Sequence, residues 1–386
     1  MIEIRSVGPK SIIMLIRALD GGGAQRDAIT LANGLARAGW PITIATLDAA
    51  GPLRQRIADA VPIIDLGQGR KLRMAQAIGP LATLLRQVRP AAVIASEASG
   101  NCLLALVLDR LAPSQRPAII LREVASPLAA RRHDPYWQNR LAYRLAPWLY
   151  PRADRVVCLT KAVQHELVDH FGVAPHRAVH LGTNAVLDHG DLAQLARPMF
   201  RDPGAIVAVG RLSPEKDFQR LIKAFAALSL VHPVRLTILG EGPERARLER
   251  LIAERGLGQR VSLPGFVANP LEYVRRARLL VSASRYEGFG NAIVEALACG
   301  TPVVATDAPH GPREILADGQ FGILVPPGNA TALAFGMARA LRMPVESGPL
   351  RARAAEFTTE RAVAAFGAML GELGLSADPQ PIEELA

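Results

Sequence analysis

Two cations five residues apart, Arg211 and Lys216, stand in the stretch Gly210-Arg211-Leu212-Ser213-Pro214-Glu215-Lys216-Asp217. Arginine offers a planar fork of donors and lysine a compact point charge, a combination suited to a diphosphate. A solvated basic loop would read the same way. A second stretch, Ser284-Arg285-Tyr286-Glu287-Gly288-Phe289-Gly290-Asn291, carries one carboxylate, and Glu295 follows after seven intervening residues. Its glycines let backbone approach a ligand closely, and the N–H groups of a helix start bind phosphate oxygens. Glu295 suits a diol such as a ribose; its bland alternative is an exposed helix acid, and that of Glu287 a helix-dipole partner. Two weaker glycine turns are Leu239-Gly240-Glu241-Gly242-Pro243-Glu244 and Asp20-Gly21-Gly22-Gly23-Ala24-Gln25-Arg26. Neither the spaced GxGxxG nor the P-loop pattern occurs at these places.

These loops need elements to hold them, and the chain is long enough to supply two or three domains at roughly 100–200 residues each. It has 386 residues, 49% hydrophobic and 21% charged, so it buries substantial cores and is not disordered. No apolar run reaches the ~18 residues that span a bilayer. The amino terminus only faintly resembles a signal peptide, because Arg17 and Asp20 interrupt the region after SIIMLI; the expected location is cytoplasmic. Three scattered cysteines, Cys102, Cys158 and Cys299, exclude a disulfide framework and any CxxC metal site. The net charge is +10, with 40 Arg against 5 Lys. Such a chain suits nucleic acid, anionic lipid or phosphorylated ligands, or simply prefers arginine.

Aliphatic runs alternate with helical stretches. Strands are expected at 11–16, 42–46, 92–95, 118–121 and 156–159, with helices at 24–38, 81–87, 101–108 and 161–170. A polar stretch follows, and the alternation resumes with strands at 205–209, 235–239, 261–263, 279–283, 302–306 and 322–325. The second set of helices is expected at 218–229, 244–255, 271–276, 291–298, 329–342 and 357–373. This pattern implies α/β architecture: two Rossmann-like, doubly wound domains facing a cleft, with mostly parallel sheets. The boundaries read as 1–182, a linker at 183–202, a second domain at 203–356, a helix at 357–375 and an acidic tail at 376–386. Ligands of such sheets bind beyond the carboxyl ends of the strands, and the chemistry-bearing loops follow strands.

The second half resembles the nucleotide-sugar domain of family-4 retaining glycosyltransferases with the GT-B fold. The resemblance rests on GRLSPEKDF (210–218), LGEGPE (239–244), PGFVANP (264–270), SRYEGFGNAIVEALACGTPVVAT (284–306), GPREIL (311–316) and GILVPPGN (322–329), in the family's order. The opening GGGAQR is similar to the family's amino-terminal glycine loop. The resemblance implies an acceptor-binding first domain, a nucleotide-sugar-binding second domain, and a final helix packing back on the first. It implies that Arg211 and Lys216 hold the donor diphosphate, that Glu287 sits at the transferred sugar and that Glu295 binds the ribose. Backbone at Gly288, Phe289, Gly290 and Asn291 would touch sugar or phosphate. Gly265, Phe266 and Val267 would lie at the base, with Gly22 and Gly23 closing over the phosphates. No cofactor is implied, since the nucleotide sugar is a substrate, and no carboxylate pair for a metal stands out, so metal-independent transfer is expected. Many relatives place a histidine where Arg122-Glu123 follow the strand at 118–121, so no catalytic histidine carries over; Glu123 is left to orient or deprotonate an acceptor hydroxyl.

The stretch 131–155 holds Tyr136, Trp137, Tyr143, Trp148 and Tyr150 among six arginines. Aromatic rings among cations suit an anionic membrane interface, or sugars and bases to stack on, or a helix with a core face. The acceptor-side candidates are Glu123, Arg131, Arg132, His133 and Trp137, and the expected acceptor is a glycan or a lipid-linked saccharide, with peripheral attachment to the inner face of the plasma membrane. The expected donor is a UDP-hexose or UDP-N-acetylhexosamine, with GDP-mannose second. A sugar-nucleotide epimerase and a nucleic-acid-binding protein stay open as other classes; the first needs acid/base groups that do not stand out, and the second a recognised module, which is not found.

Overall fold

The computed structural model describes residues 8–20, 22–70, 72–197 and 199–377. The expectations for the segment before residue 8, for Gly21 and for the tail from 378 onward lie outside the described residues. The chain divides into two compact units, one of 1–132, 136–185 and 359–386, the other of 133–135 and 186–358.

The first part runs β1 (Ile12–Ile16), α1 (Gly23–Arg37), β2 (Ile42–Thr46), β3 (Ile63–Asp65), α2 (Met74–Val88), β4 (Ala92–Ser96) and α3 (Ala98–Val107). It continues with β5 (Ala118–Glu123), α4 (Pro127–His133), α5 (Trp137–Leu149), β6 (Arg155–Cys158), α6 (Lys161–Phe171) and β7 (Ala178–His180). The seven strands form one sheet in the order β3-β2-β1-β4-β5-β6-β7. β1 lies parallel to both β2 and β4, with Ile12 opposite Ile42 and Ala92. The runs IIMLI and ITIAT are buried along their whole length, as expected of parallel strands covered on both faces.

After α7 (His189–Leu195) the chain forms β8 (Asp202–Val209), α8 (Phe218–Leu228), β9 (Arg235–Leu239), α9 (Arg245–Glu254), β10 (Val261–Gly265), α10 (Pro270–Arg276) and β11 (Ala277–Ser282). Then come α11 (Asn291–Ala298), β12 (Val303–Thr306), α12 (Gly311–Ile315), β13 (Ile323–Val325), α13 (Ala330–Arg342) and α14 (Ser347–Ala354). This sheet has the order β10-β9-β8-β11-β12-β13, all neighbours parallel. Phe218, Leu221 and Phe225 of α8 and Leu333 and Met337 of α13 pack with Ile206, Ile238 and Val281 in its core. The last helix, α15 (Thr359–Glu372), belongs to the first unit. Its Ala362, Phe366, Met369 and Leu370 join the cluster of Ile12, Met14 and Ile29. A Cβ on Gly34 of α1 would lie 2.5 Å from Val363 Cγ2, so this glycine sets how closely the two helices approach.

Several boundaries differ from the sequence expectation. The stretch read as a linker contains α7, whose start is fixed by a capping box in which Asp188 and Asp191 each accept from the other's backbone N–H. α2 begins at Met74 rather than Leu81, with Arg73 N donating to Gln76 Oε1 at 2.9 Å and Pro80 inside the helix. β5 extends through Arg122 and Glu123, which were expected beyond its end, because β6 pairs with both.

In each sheet the connection order reverses between two neighbouring strands, β1/β4 in the first and β8/β11 in the second. The carboxyl ends of such strand pairs are where doubly wound sheets leave a crevice for ligands.

Candidate active site

The loops after β8 and β11 meet at the second switch point. Lys216 Nζ donates to Glu287 Oε1, joining one loop to the other. Ser284 Oγ donates to the same oxygen at 2.7 Å. The Lys216 stem lies over Gly210, whose added Cβ would sit 3.4 Å from Cδ and Cε. Arg285 N donates to Glu215 O at 2.7 Å, and Arg285 Nε reaches Asp217 Oδ2 at 3.1 Å. Asp217, nearly buried, also takes Arg220 Nε at 2.9 Å. The backbone of Glu287 exchanges hydrogen bonds with the segment before α12: its N–H donates to Pro309 O at 2.6 Å and its carbonyl accepts from His310 N at 2.7 Å. Two loops far apart in sequence are thereby held as one piece.

The glycine turns extend this lacing along the sheet. Gly210 N donates to Leu239 O at 3.0 Å, Gly240 N to Gly265 O at 2.8 Å, and Leu212 N to Glu241 O at 2.9 Å. A Cβ on Gly240 would stand 2.0 Å from Gly210 O, and the residue has φ +138°, so only glycine fits. Gly290, at φ +119°, caps α11 and turns the chain so that the first N–H groups of that helix follow the Glu287 loop.

Of the residues expected to act on a donor, Lys216, Glu287, Gly288, Phe289, Gly290 and Asn291 lie in or beside this laced region. Arg211 is exposed on the same β8 loop. Glu295 sits in α11 and is only 3% exposed, so it is not the exposed helix acid of the bland alternative. The Phe289 ring is buried edge-on against Phe357, with centroids 5.7 Å apart, which leaves its backbone as the part available to a ligand. Gly265 closes β10; Phe266 is largely exposed beyond it and Val267 half-buried. Among the described residues no group of three or more His, Cys, Asp and Glu is placed to hold a metal ion.

In the first unit, Gly22 caps α1 and Gly23 opens it. A Cβ on Gly22 would collide with the buried Gln25 side chain at 1.8 Å, whereas one on Gly23 would meet nothing within 4 Å. At the switch point beside them lies a cluster that sequence reading missed. Glu97 follows β4 with φ +72° and ψ 150°, a region that side-chain-bearing residues rarely adopt. Its carboxylate is 3.8 Å from Arg17 Nε, and Arg17 also reaches Asp20 at 3.6 Å. Burial pushes the Glu97 carboxyl up to about 7, against the pull of Arg17. Below it, Arg122 is 2% exposed and donates to Ser96 Oγ at 3.2 Å and Asn184 Oδ1 at 2.5 Å, while Asn184 donates to Asp27 Oδ2 at 2.9 Å. Burial lowers the Arg122 pKa, and Asp27, Glu97 and Glu123 oppose it. No spacing motif announces this network, because its members come from five separate segments.

Glu123 does not reach the surface. It is 1% exposed and takes Tyr143 Oη at 2.9 Å and Tyr150 Oη at 2.8 Å. Burial pushes its carboxyl up while these hydroxyls and Ala125 N hold it down. Packing of α5 against the sheet has made it a core acceptor, which corrects its expected role in acceptor activation. The other acceptor-side candidates lie on or beside α4 and α5: Arg131 half-buried, Arg132, His133 and Trp137 exposed.

α5 has two faces. Ala142, Tyr143, Ala146 and Leu149 are buried. Opposite them, Trp137 (61% exposed), Leu141 (45%) and Trp148 (70%) form an apolar stripe at helical spacing. Arg140 and Arg144 share that face by the same periodicity. No helix among the described residues is long and apolar enough to cross a membrane.

Comparison with known proteins matches residues 21–184 to the family described as Glycosyltransferase Family 4 and residues 197–361 to that described as Glycosyl transferases group 1. The chain is 36% identical over 193 residues to N-acetylgalactosamine-N,N'-diacetylbacillosaminyl-diphospho-undecaprenol 4-alpha-N-acetylgalactosaminyltransferase of Campylobacter jejuni, covering 49% of this chain and 51% of that protein. It is 28% identical over 349 residues to the lipopolysaccharide core biosynthesis glycosyltransferase LpsE of Rhizobium meliloti, covering 89% of this chain and 92% of that one. The chain thus spans about half the length of the first relative and most of the second. Among solved structures, sucrose-phosphate synthase of Thermosynechococcus elongatus superposes with TM-score 0.78 at 20% identity, over 95% of this chain and 99% of that one. Anabaena HepE in complex with UDP and glucose superposes with TM-score 0.74 at 20% identity, over 94% and 99%.

Proposed function

We propose, from the premise that this chain belongs to the glycosyltransferases, with a family 4 domain followed by a group 1 domain on the GT-B fold, that it transfers a hexose or N-acetylhexosamine from a UDP-sugar to a lipid-linked or surface glycan, retaining anomeric configuration and without a metal. The observation that carries this reading is the Lys216–Glu287 pair at the β8/β11 switch point, beside the start of α11. In the proposed step the bond from the anomeric carbon to the leaving phosphate oxygen breaks. The acceptor oxygen bonds to that carbon on the same face, and its proton passes to the departing diphosphate. Arg211 and Lys216 stabilise the negative charge that grows on the diphosphate, and the N–H groups opening α11 add to them. Fixed cations do this without reorganising at the moment of bond breaking, which is why they can replace a metal. Glu287, already oriented by Ser284, holds Lys216 in place and accepts from a hydroxyl of the transferred sugar. Glu295 takes the ribose hydroxyls.

The donor proposal is supported by the UDP and glucose held by Anabaena HepE. The acceptor proposal is supported by the diphospho-undecaprenol in the Campylobacter relative's name and the lipopolysaccharide core in the Rhizobium relative's. The exposed Trp137–Leu141–Trp148 stripe with Arg140 and Arg144 supports docking on the anionic inner face of the plasma membrane, where such an acceptor would be met. Incubating the chain with a panel of nucleotide sugars and an undecaprenyl-diphosphate-linked saccharide, in the presence of EDTA, tests the reading. A lengthened lipid-linked product with an α-linkage from a UDP-sugar is expected; isomerised free donor in its place overturns it.

A further inference from the structure

The second unit has a concentration of positive charge at the end of its sheet opposite Lys216. Arg201 immediately precedes β8, Arg275 lies in the last turn of α10 ahead of β11, and Arg351 lies in α14. With Arg197, Met199 and Ser347 they line a cavity of about 290 Å³. Arg278, at the start of β11, adds a further guanidinium to the field felt by Arg201. No carboxylate forms a salt bridge with any of these five arginines among the described residues.

What these arginines do bind is neutral. Arg201 donates to Cys299 O at 2.7 Å and Thr301 Oγ1 at 3.3 Å. Arg275 donates to Arg197 O, and Arg278 to the carbonyls of Ala340, Leu341 and Met343. Cys299 follows the last residue of α11, and a helix carboxyl end offers only about half a negative charge. One cation would satisfy it. Nε of Arg275 and Nε of Arg351 are buried and donate to nothing. Burial lowers the Arg201 pKa, and Arg351, Arg278 and Arg275 push it the same way, so the like charges strain one another. Gathering guanidiniums with spare donors costs free energy unless an anion offsets it.

The geometry points to a second anion site, formed by Arg197, Arg201, Arg275 and Arg351, that takes a phosphate- or diphosphate-bearing ligand. Guanidinium forks match the paired oxygens of phosphate, and the cavity exceeds a single phosphate, leaving space for a diphosphate or a small phosphorylated group. β8 has eight residues, so about 25 Å of strand separates this site from the loop carrying Lys216. Occupation of one leaves the other open. This inference does not depend on the proposed reaction.

Isothermal titration of the full chain with inorganic pyrophosphate tests it, using Lys216→Ala to silence the other diphosphate site. The Lys216→Ala protein is expected to bind one pyrophosphate. Adding Arg275→Gln and Arg351→Gln weakens that binding at least about tenfold, whereas Arg275→Lys with Arg351→Lys keeps most of it. Amide hydrogen exchange on the Lys216→Ala protein provides a readout without changing the site: pyrophosphate should slow exchange in 270–276 and 347–354. Sedimentation with phosphatidic acid vesicles against phosphatidylcholine vesicles identifies the source of the phosphate. Vesicle binding lost with the glutamine pair assigns a lipid headgroup, and pyrophosphate binding with no vesicle effect assigns a soluble ligand. Parent-like pyrophosphate affinity in the glutamine pair, or no binding and no slowed exchange in the Lys216→Ala protein, overturns the site.

Discussion

Lys216 and Glu287 are ion-paired across the two loops that follow β8 and β11. Each is mostly withdrawn from solvent, with 25% and 14% of its side chain exposed. Glu287 also accepts from Ser284, and Lys216 lies along Gly210, so neither is free to swing. A cation fixed in this way is arranged before any ligand arrives, and preorganised charge is the cheapest way to stabilise a leaving diphosphate.

UDP should raise the melting temperature of the parent, and Lys216→Ala should abolish that rise. Turnover should fall by about two orders of magnitude or more, the scale typical of losing one preorganised donor to developing charge. Thermal melts in millimolar UDP check the first effect; a UDP shift equal to the parent's would remove Lys216 from the donor site.

Glu287→Gln keeps an oxygen for Ser284 and loses the charge opposite Lys216. Donor binding should stay within about threefold while kcat drops roughly a hundredfold, the signature of an interaction made mainly in the transition state. Steady-state kinetics against donor concentration separates the two. Parent-like kcat would exclude the role given to Glu287.

Glu97 ties stability to pH. Its folded pKa of about 7 exceeds the ordinary 4.5, so between those values the unfolded chain ionises this group while the folded chain keeps it protonated. Stability from this group is therefore full below pH 4.5 and is lost as pH rises to about 7. Glu97→Gln should flatten that slope and raise stability at pH 8 by up to ~3 kcal/mol. Urea unfolding of both proteins from pH 4.5 to 8 measures it; parallel curves would show that Glu97 ionises normally.

Trp137→Ala with Trp148→Ala should weaken sedimentation with anionic vesicles at least about tenfold, by removing the two largest apolar groups of the exposed α5 face. Both rings are over half exposed, so the melting temperature should scarcely move. Vesicle binding that survives the double change would locate the lipid contact elsewhere.

Gly240→Ala should destabilise the second unit by more than ~2 kcal/mol, since the new methyl meets Gly210 O at 2.0 Å in a left-handed backbone. A melting temperature equal to the parent's would mean that the β8 and β9 loops part readily.

Much of this was legible in the sequence because long aliphatic runs and glycine turns report local preference. The strands that lead into the Lys216 and Glu287 loops and the helix Asn291–Ala298 follow from such runs. β3 and β7 were not legible: with three residues each, they owe their conformation to neighbours already in the sheet. The reach of β5 through Glu123 depended on β6, and with it went the role expected of that carboxylate. Glu97 escaped notice because glutamate gives no sign that its backbone will take a glycine-like conformation. The arginines at 197, 201, 275 and 351 are joined only by tertiary structure, and in a chain with 40 arginines no spacing singles them out.

The return of α15 to α1 makes the first unit depend on a segment that follows the whole of the second unit in sequence. Phe366 is fully buried there, a contact worth roughly 1.5–3 kcal/mol. During translation the amino-terminal sheet must wait, one apolar flank uncovered, until the ribosome has released more than 170 further residues after Ala185. Cutting the chain before Thr359 would therefore harm the unit that holds β1 to β7, although those strands lie far from the cut in sequence.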